Sequence, residues 1–408
     1  MKKTIKRDDV IEKAIKLSTQ HANLLLEWAT GVGKSKAAID IIKTLHVNGE
    51  PLKILLIVAE TAHKNNWLEE FKKWDAMQHW EYVTIECYAS LKNYKNTRYD
   101  LLILDEGHHS GTEIRLDVLK SIITKKVLIL SATFKRDILE ELERIFGKFH
   151  TFNIKLTHAI ENDMLPVPKV YLIPLELNNS IPDVTFTMER GLKRNQKYIT
   201  CSYKDRWNYL KDKTNYPDLK LTVTCTELEK YDHLSQQFRY FQDQYLRTRQ
   251  EYLKNIWLQT GSVRKRFLGD IKTSKVLPLL HILQDKRYIC FCSSIEQAES
   301  LGKGTAIHSE KKNSLEIIQK FNDKKIDTLF AVGMLQEGQN LTDIDAGVII
   351  QLDGQVKSFI QKFGRTLRSN SPKQYIFYYE NTRDEEYLEK ILEEIDKKYI
   401  YFINDLTV

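Results

Sequence analysis

A chain of 408 residues with 42% apolar side chains can build two packed domains, and it contains no long low-complexity tract of the kind that stays disordered. No stretch reaches the ~20 apolar residues that span a bilayer, and the basic start MKKTIKRDDVIEKAIKL has its apolar residues broken up by charges, which excludes a signal-peptide reading. The formal charge of +7 suits a polyanionic partner without specifying one, and the five scattered cysteines (Cys87, Cys201, Cys225, Cys290, Cys292) read as reduced thiols of a cytoplasmic protein. In chain order, residues 24–28 read as a buried strand, followed by a Gly-rich turn and a helix from Lys34. Further continuous apolar runs follow at 53–59 (KILLIVA), 101–104 and 126–130. Continuous apolar strands alternating with helical patterns predict an α/β fold, with a parallel sheet covered on both faces and its ligand site at the carboxyl ends of the strands.

The pattern breaks at 162–168, a loop carrying Pro166 and Pro168. The expected division is therefore a first domain over 1–162 and a second over 163–408. A strand at 170–177 opens the second. Residues 188–275 then change character: they are rich in Tyr, Phe, Lys and Arg and poor in apolar runs, which predicts a helical insertion. Tyr231, Leu234, Phe238, Phe241, Tyr245 and Tyr252 recur at three- and four-residue steps, so one long helix over 227–258, packed on a partner helix, is expected. Strand patterns resume at 288–292, 328–332, 347–352 and 374–379, and 384–403 reads as an amphipathic helix.

Thr30-Gly31-Val32-Gly33-Lys34-Ser35 carries the strongest chemical signal. It follows a strand and opens a helix, as a phosphate-binding loop must. Its glycines let backbone amides turn toward phosphates, and the helix dipole favours negative charge. Lys34 would reach the β- and γ-phosphates of ATP, and the Ser35 hydroxyl would ligate Mg²⁺. The general pattern has glycine where Trp28 stands. Asp105-Glu106-Gly107-His108 comes directly after an apolar strand. A strand-end aspartate there would hold Mg²⁺, and the adjacent glutamate would activate water.

Those residues, in that order, resemble superfamily 2 helicases. Asp105–His108 is similar to the DExH box, with glycine where alanine is commoner. Ser131-Ala132-Thr133 resembles the third motif, Glu337-Gly338-Gln339-Asn340-Leu341 the fifth, and Gln361-Lys362-Phe363-Gly364-Arg365-Thr366-Leu367-Arg368 the sixth, QxxGRxxR. The resemblance implies two tandem RecA-like domains. It implies that Gln361, Arg365 and Arg368 act on the γ-phosphate from the second domain, so that hydrolysis depends on cleft closure. It also implies that His108, Ser131 and Thr133 couple the ATP site to nucleic-acid grip. The adenine-reading glutamine of the family is not evident; Arg7-Asp8-Asp9 stands about where it is expected.

The segment 58–74 (VAETAHKNNWLEEFKKW) resembles the matching stretch of remodelling-type and branch-migration DNA translocases, as do 222–231 and 273–283. DNA is thus expected over RNA. An RNA helicase and a non-catalytic nucleic-acid-binding scaffold are the alternatives, and intact Lys34, Asp105, Glu106, Arg365 and Arg368 argue against the scaffold. A motor of a larger assembly, targeted by a protein partner, also fits. Within the insertion, Arg264, Lys265 and Arg266 are the candidate phosphate contacts, whereas the heptad spacing of the aromatics assigns them to packing. His108 and His109 lack a nearby third metal ligand. The Lys-, Ile-, Asn- and Tyr-rich composition points to an AT-rich bacterial or phage genome.

Overall fold

The computed structural model describes residues 5–46, 52–333, 341, 343–352, 372–393 and 395–404. The first sheet is built from β1 (Asn23–Trp28), β2 (Ile54–Val58), β3 (Val83–Cys87), β4 (Arg98–Asp105), β5 (Ile123–Ser131) and β6 (His150–Ile154). Their order is β3-β2-β4-β5-β1-β6, and every pairing is parallel. The apolar runs are continuous because both faces are covered: all five residues of β2 are buried. Helices α1 (Arg7–Gln20), α2 (Lys34–Leu45) and α3 (Thr61–Lys73) precede β3 in sequence; α4 (Glu113–Ser121), α5 (Arg136–Phe146) and α6 (Leu156–Glu161) follow β4.

The strand opening the second half, β7 (Lys169–Leu175), joins a second parallel sheet of order β12-β13-β11-β14-β15-β7-β16. Its other strands are β11 (Tyr288–Phe291), β12 (Ala306–Ile307), β13 (Thr328–Ala331), β14 (Ala346–Ile349), β15 (Lys373–Tyr379) and β16 (Ile400–Phe402). Two all-parallel, helix-covered sheets are the tandem RecA-like arrangement that the motifs implied. The C-terminal stretch is shorter in helix than its amphipathic pattern suggested. It forms a helix at Arg383–Leu392 and then β16, which pairs with the edge of β7.

The insertion differs more. It begins with a three-stranded sheet, β8 (Val184–Arg190), β9 (Lys197–Ser202) and β10 (Leu219–Cys225), ordered β8-β10-β9. The short helix α7 (Arg206–Lys211) lies between β9 and β10 in the chain. One face of this sheet buries Leu219, Leu221 and Val223 against Phe186, Met188, Ile199, Tyr209 and Leu210. The single long helix expected at 227–258 is a hairpin of two: α8 (Glu227–Thr248) and α9 (Glu251–Ile271). Arg249 breaks it by taking a left-handed φ of 55° with no glycine or proline to announce the turn. Thr226 and Glu229 form a capping box at the start of α8. Most of the stripe packs in the seam, with Trp257 stacked on Tyr245 and tilted against Phe238, but Tyr252 is exposed, because the chain turns at Arg249 before it. Helices α10 (Thr273–Ile282), α11 (Ile295–Gly302) and α12 (Ser314–Asn322) then cover the second sheet.

Candidate active site

Parallel pairing brings the strand ends to one edge of the first sheet. Asp105 at the end of β4 lies beside Leu130 of β5, and Ser131 of β5 lies beside Glu27 of β1. The phosphate loop leaves β1 one residue later. Gly31 and Gly33 take φ of +92° and +117°, which glycine adopts without the steric cost of a Cβ. Helix α2 starts at Lys34 with no side chain capping its first turn, so its leading amides point outward, suited to an anion. Lys34 Nζ donates to the Trp28 carbonyl at 2.9 Å. The Trp28 side chain stands where the general pattern has glycine. It is fully buried and meets Phe152 edge-on at 5.5 Å.

The Asp105 carboxylate is held from two sides. Its Oδ2 accepts the indole N–H of Trp67 on α3 at 2.8 Å, and its Oδ1 accepts the Glu106 amide at 3.0 Å. Tyr88 donates its hydroxyl to the Asp105 carbonyl at 3.2 Å. Glu106 sits at φ +46°, a left-handed conformation that costs energy for a non-glycine residue and aims its side chain out of the strand direction. Its Oε2 is buried, outside hydrogen-bond geometry with the protein among the described residues, and 3.4 Å from His108 Nδ1.

His108 Nδ1 also lies 3.3 Å from Ser131 Oγ, and the Ser131 hydroxyl donates to the Thr133 carbonyl at 2.7 Å. His108 Nδ1 therefore stands between the Glu106 carboxylate and the Ser131 hydroxyl. His109 is a packing residue in this arrangement. Its ring lies 4.3 Å from that of His108 and 5.8 Å from that of Tyr88, and its carbonyl accepts from Arg115. No group of three or more His, Cys, Asp or Glu side chains able to hold a metal occurs among the described residues.

Gly107 has a steric reason. A Cβ there would overlap Ile129 Cγ2 and come within 3.2 Å of Phe134 Cε2, so the commoner alanine does not fit beside this β5. Sequence reasoning missed three supports. Trp67 lies in the 58–74 stretch, whose resemblance implies no role for it. Glu27 accepts from the Phe134 amide at 2.9 Å and from Asn153 Nδ2 at 2.8 Å, fixing the turn after Ser131. Arg7 donates to the Met164 carbonyl, and its Cδ lies 3.9 Å from where a Gly33 Cβ would stand, so this stretch reaches the phosphate loop without a glutamine.

Gln361, Arg365 and Arg368 lie outside the described residues, as does the 337–340 part of the fifth motif. The expected phosphate contacts at Arg264–Arg266 need correction. Arg264 is only 8% exposed; its guanidinium lies 4.3 Å over the Phe238 ring and donates to Ser235 Oγ, because position 264 faces the seam of the hairpin. Arg266 pairs with Glu296 at 2.8 Å, which leaves Lys265 as the exposed member without an ion pair among the described residues.

The donor set fits the expected ligands. A serine hydroxyl and a strand-end carboxylate are the hard oxygen ligands that Mg²⁺ takes, and uncapped amides with a lysine suit a polyphosphate. The Glu106 carboxylate keeps one buried oxygen without a hydrogen bond among the described residues. Comparison with known proteins agrees. Residues 6–93 match the family described as "Type III restriction enzyme, res subunit", and residues 271–370 match "Helicase conserved C-terminal domain". The chain is 21% identical over 391 residues to the DNA 3'-5' translocase XPB2 of Sulfurisphaera tokodaii, covering 90% of this chain and 80% of that protein. It is 26% identical over 201 residues to the human DNA repair and recombination protein RAD54B, covering 42% of this chain and 21% of that protein. A DNA-bound Type ISP restriction-modification enzyme, LlaBIII, shares the fold with a TM-score of 0.57 at 12% identity; the match covers all of this chain and 32% of that one. These matches support a superfamily 2 helicase or translocase and indicate a nucleic-acid-dependent ATPase.

Proposed function

We propose that the protein is an ATP-driven DNA translocase whose catalytic residues are split between two domains, dividing near residue 162. The observation that carries this reading is the strand-end chain Glu106–His108–Ser131–Thr133, which joins the water-activating carboxylate to the third motif through contacts of 3.4, 3.3 and 2.7 Å. In this reading Thr30–Ser35 cradle the phosphates and Lys34 leaves the Trp28 carbonyl to pair with them. Ser35 and Asp105 would hold Mg²⁺, which neutralises phosphate charge when bound. Glu106 takes a proton from the attacking water, and Trp67 keeps Asp105 from swinging away. Gln361, Arg365 and Arg368 supply the transition-state contacts from the second domain, as arginine fingers do. Arg365→Ala then lowers hydrolysis by orders of magnitude while leaving nucleotide-free DNA binding intact.

DNA as the track is supported by the two relatives, both named for acting on DNA. The restriction-subunit match at 6–93 favours a second reading in which this motor serves a larger assembly and a protein partner directs it to its target. The test of the track is the ATPase rate with single-stranded DNA, duplex DNA, forked DNA and RNA. Stimulation by DNA but not by RNA supports the proposal; stimulation by RNA alone overturns it.

A further inference from the structure

The chain's excess positive charge is concentrated in one place. Residues 184–220, the inserted sheet up to the start of β10, contain nine Lys and Arg against four Asp and Glu, in a chain whose net formal charge is only +7. The fold gathers much of this charge at one end. Strand pairing sets Arg190 of β8, Leu219 of β10 and Lys197 of β9 in one row, so the turn after β8 and the loop before β10 emerge side by side.

Both segments are held rigidly. The Arg190 guanidinium faces inward and donates to the carbonyls of Tyr209, Leu210, Asp212 and Tyr216, so it organises the loop and adds no free charge outside. The Leu192 amide donates to Asp218 Oδ1 at 2.6 Å. Gly191, at φ +74°, lies so near the neighbouring loop that a Cβ would come within 2.7 Å of the Pro217 carbonyl. Asp212 accepts from Asn215, and with Asp218 it is thereby used within the scaffold.

What remains outward is basic. Lys193, Arg194, Lys211 and Lys213 are exposed and make no ion pair among the described residues. Lys197 is also exposed; it reaches the Asn215 carbonyl and lies over the Tyr216 ring at 5.3 Å. Beside them Tyr198, 74% exposed, opens a sheet face lined by the hydroxyls of Thr200, Ser202 and Thr187.

We propose that this basic end of the inserted sheet binds the phosphate backbone of duplex DNA, as an auxiliary grip distinct from the ATP site. The inference rests on the DNA-translocase reading above. Charge complementarity identifies the occupant: clustered, rigidly presented cations with adjacent hydroxyls match a row of phosphates. Duplex is favoured over single strands because the exposed aromatics of this segment, Tyr198 on β9 and Trp207 on α7, lie on different elements and form no continuous platform for stacking successive bases. The grip is sequence-independent, since phosphates carry no base information.

The experiment measures binding of the full chain to duplex DNA across a range of salt concentrations, with a single-stranded arm. The variant Lys193→Ala/Arg194→Ala/Lys213→Ala is compared with Lys320→Ala/Lys324→Ala/Lys325→Ala, which removes the same formal charge from exposed lysines elsewhere. The first variant lowers the log–log salt slope on duplex by roughly 0.9 for each phosphate it no longer neutralises. The control changes it little, and both keep the basal ATPase rate without DNA. Equal slopes in the two variants, or loss confined to single strands, overturn the inference. A wild-type chain that shows no salt-sensitive DNA binding overturns the translocase reading itself.

Discussion

The Nδ1 of His108 stands 3.3 Å from the Ser131 hydroxyl and 3.4 Å from the Glu106 carboxylate, so one imidazole touches both the proposed base and the stretch resembling the third motif. Any movement of the Ser131–Thr133 turn therefore shifts the groups that orient Glu106.

That relationship predicts uncoupling. His108→Ala keeps a basal ATPase, because Lys34, Asp105 and Glu106 remain, but it loses the response to DNA. The ratio of DNA-stimulated to basal rate falls by on the order of tenfold, within the usual range of coupling energies. Ser131→Ala has the same direction, and steady-state ATPase with and without DNA reads both. An unchanged ratio in both variants would show that the contact is only packing.

Gly107→Ala is predicted to destabilise the protein by about 1–3 kcal/mol, because the new methyl overlaps Ile129 Cγ2. Ile129→Leu removes that branch methyl, so the double variant Gly107→Ala/Ile129→Leu recovers part of the loss. Urea unfolding of the two single variants and the double measures the coupling. Strict additivity would remove Ile129 as the reason for the glycine.

How much of this was legible in the sequence depends on how local the cause was. In the first sheet β1, β2, β4 and β5 were legible because their apolar runs are continuous and buried, whereas the edge strands β3 and β6 are mostly half-buried or exposed and offered no such run. The phosphate loop and the acidic pair are contiguous residues at strand ends, so sequence order alone set their places. The inserted sheet was missed even though β10, LKLTVTC, alternates buried and half-buried residues. Its polar face of Lys and Thr diluted the apolar signal, and its tyrosines added to the Tyr- and Phe-rich composition that read as a helical insertion. Arg264 was misread because a charge run suggests a solvated face. Its position, seven residues after Trp257, puts it in the same hairpin seam, where the Phe238 ring and Ser235 take up its guanidinium. Trp67 and Glu27 support the site across long sequence separations, which no spacing rule reports.

A buried pair secures the base of the hairpin. Lys272 and Asp384 are both fully buried and joined to each other. The lysine also donates to the carbonyls of Ile350 and Phe377, and Gln351 donates to the same aspartate. Lys272→Met leaves a carboxylate uncompensated in the interior and is predicted to cost about 3–5 kcal/mol. Lys272→Met/Asp384→Leu removes both charges and is predicted to be milder than the single change. A double variant less stable than Lys272→Met would contradict this account of the pair.

His233 gives the inserted sheet a pH dependence. Its ring stacks on Phe186 at 4.3 Å, and burial, with a smaller contribution from Arg206, pushes its pKa below the ordinary 6.5. The depressed value sets the sign. Below about pH 6.5 the unfolded chain binds a proton that the folded chain refuses, so stability falls as the pH drops from there toward the folded pKa. His233→Phe keeps the aromatic contact and removes the titration. Its melting temperature is predicted to fall less than that of the wild type between about pH 7.5 and 5.5, the range that brackets an ordinary histidine's titration; parallel curves would exclude His233 as a source of the acid sensitivity.

Translocation itself is tested most directly by triplex displacement. A third strand is annealed to duplex DNA, and its release is followed after the full chain and ATP are added. The account predicts ATP-dependent release by the wild type. It predicts none by Glu106→Gln, which loses the base on the water but keeps Lys34 and Asp105 for nucleotide binding. Release that proceeds equally in Glu106→Gln, or a wild type that hydrolyses ATP on DNA without ever displacing the third strand, would contradict it.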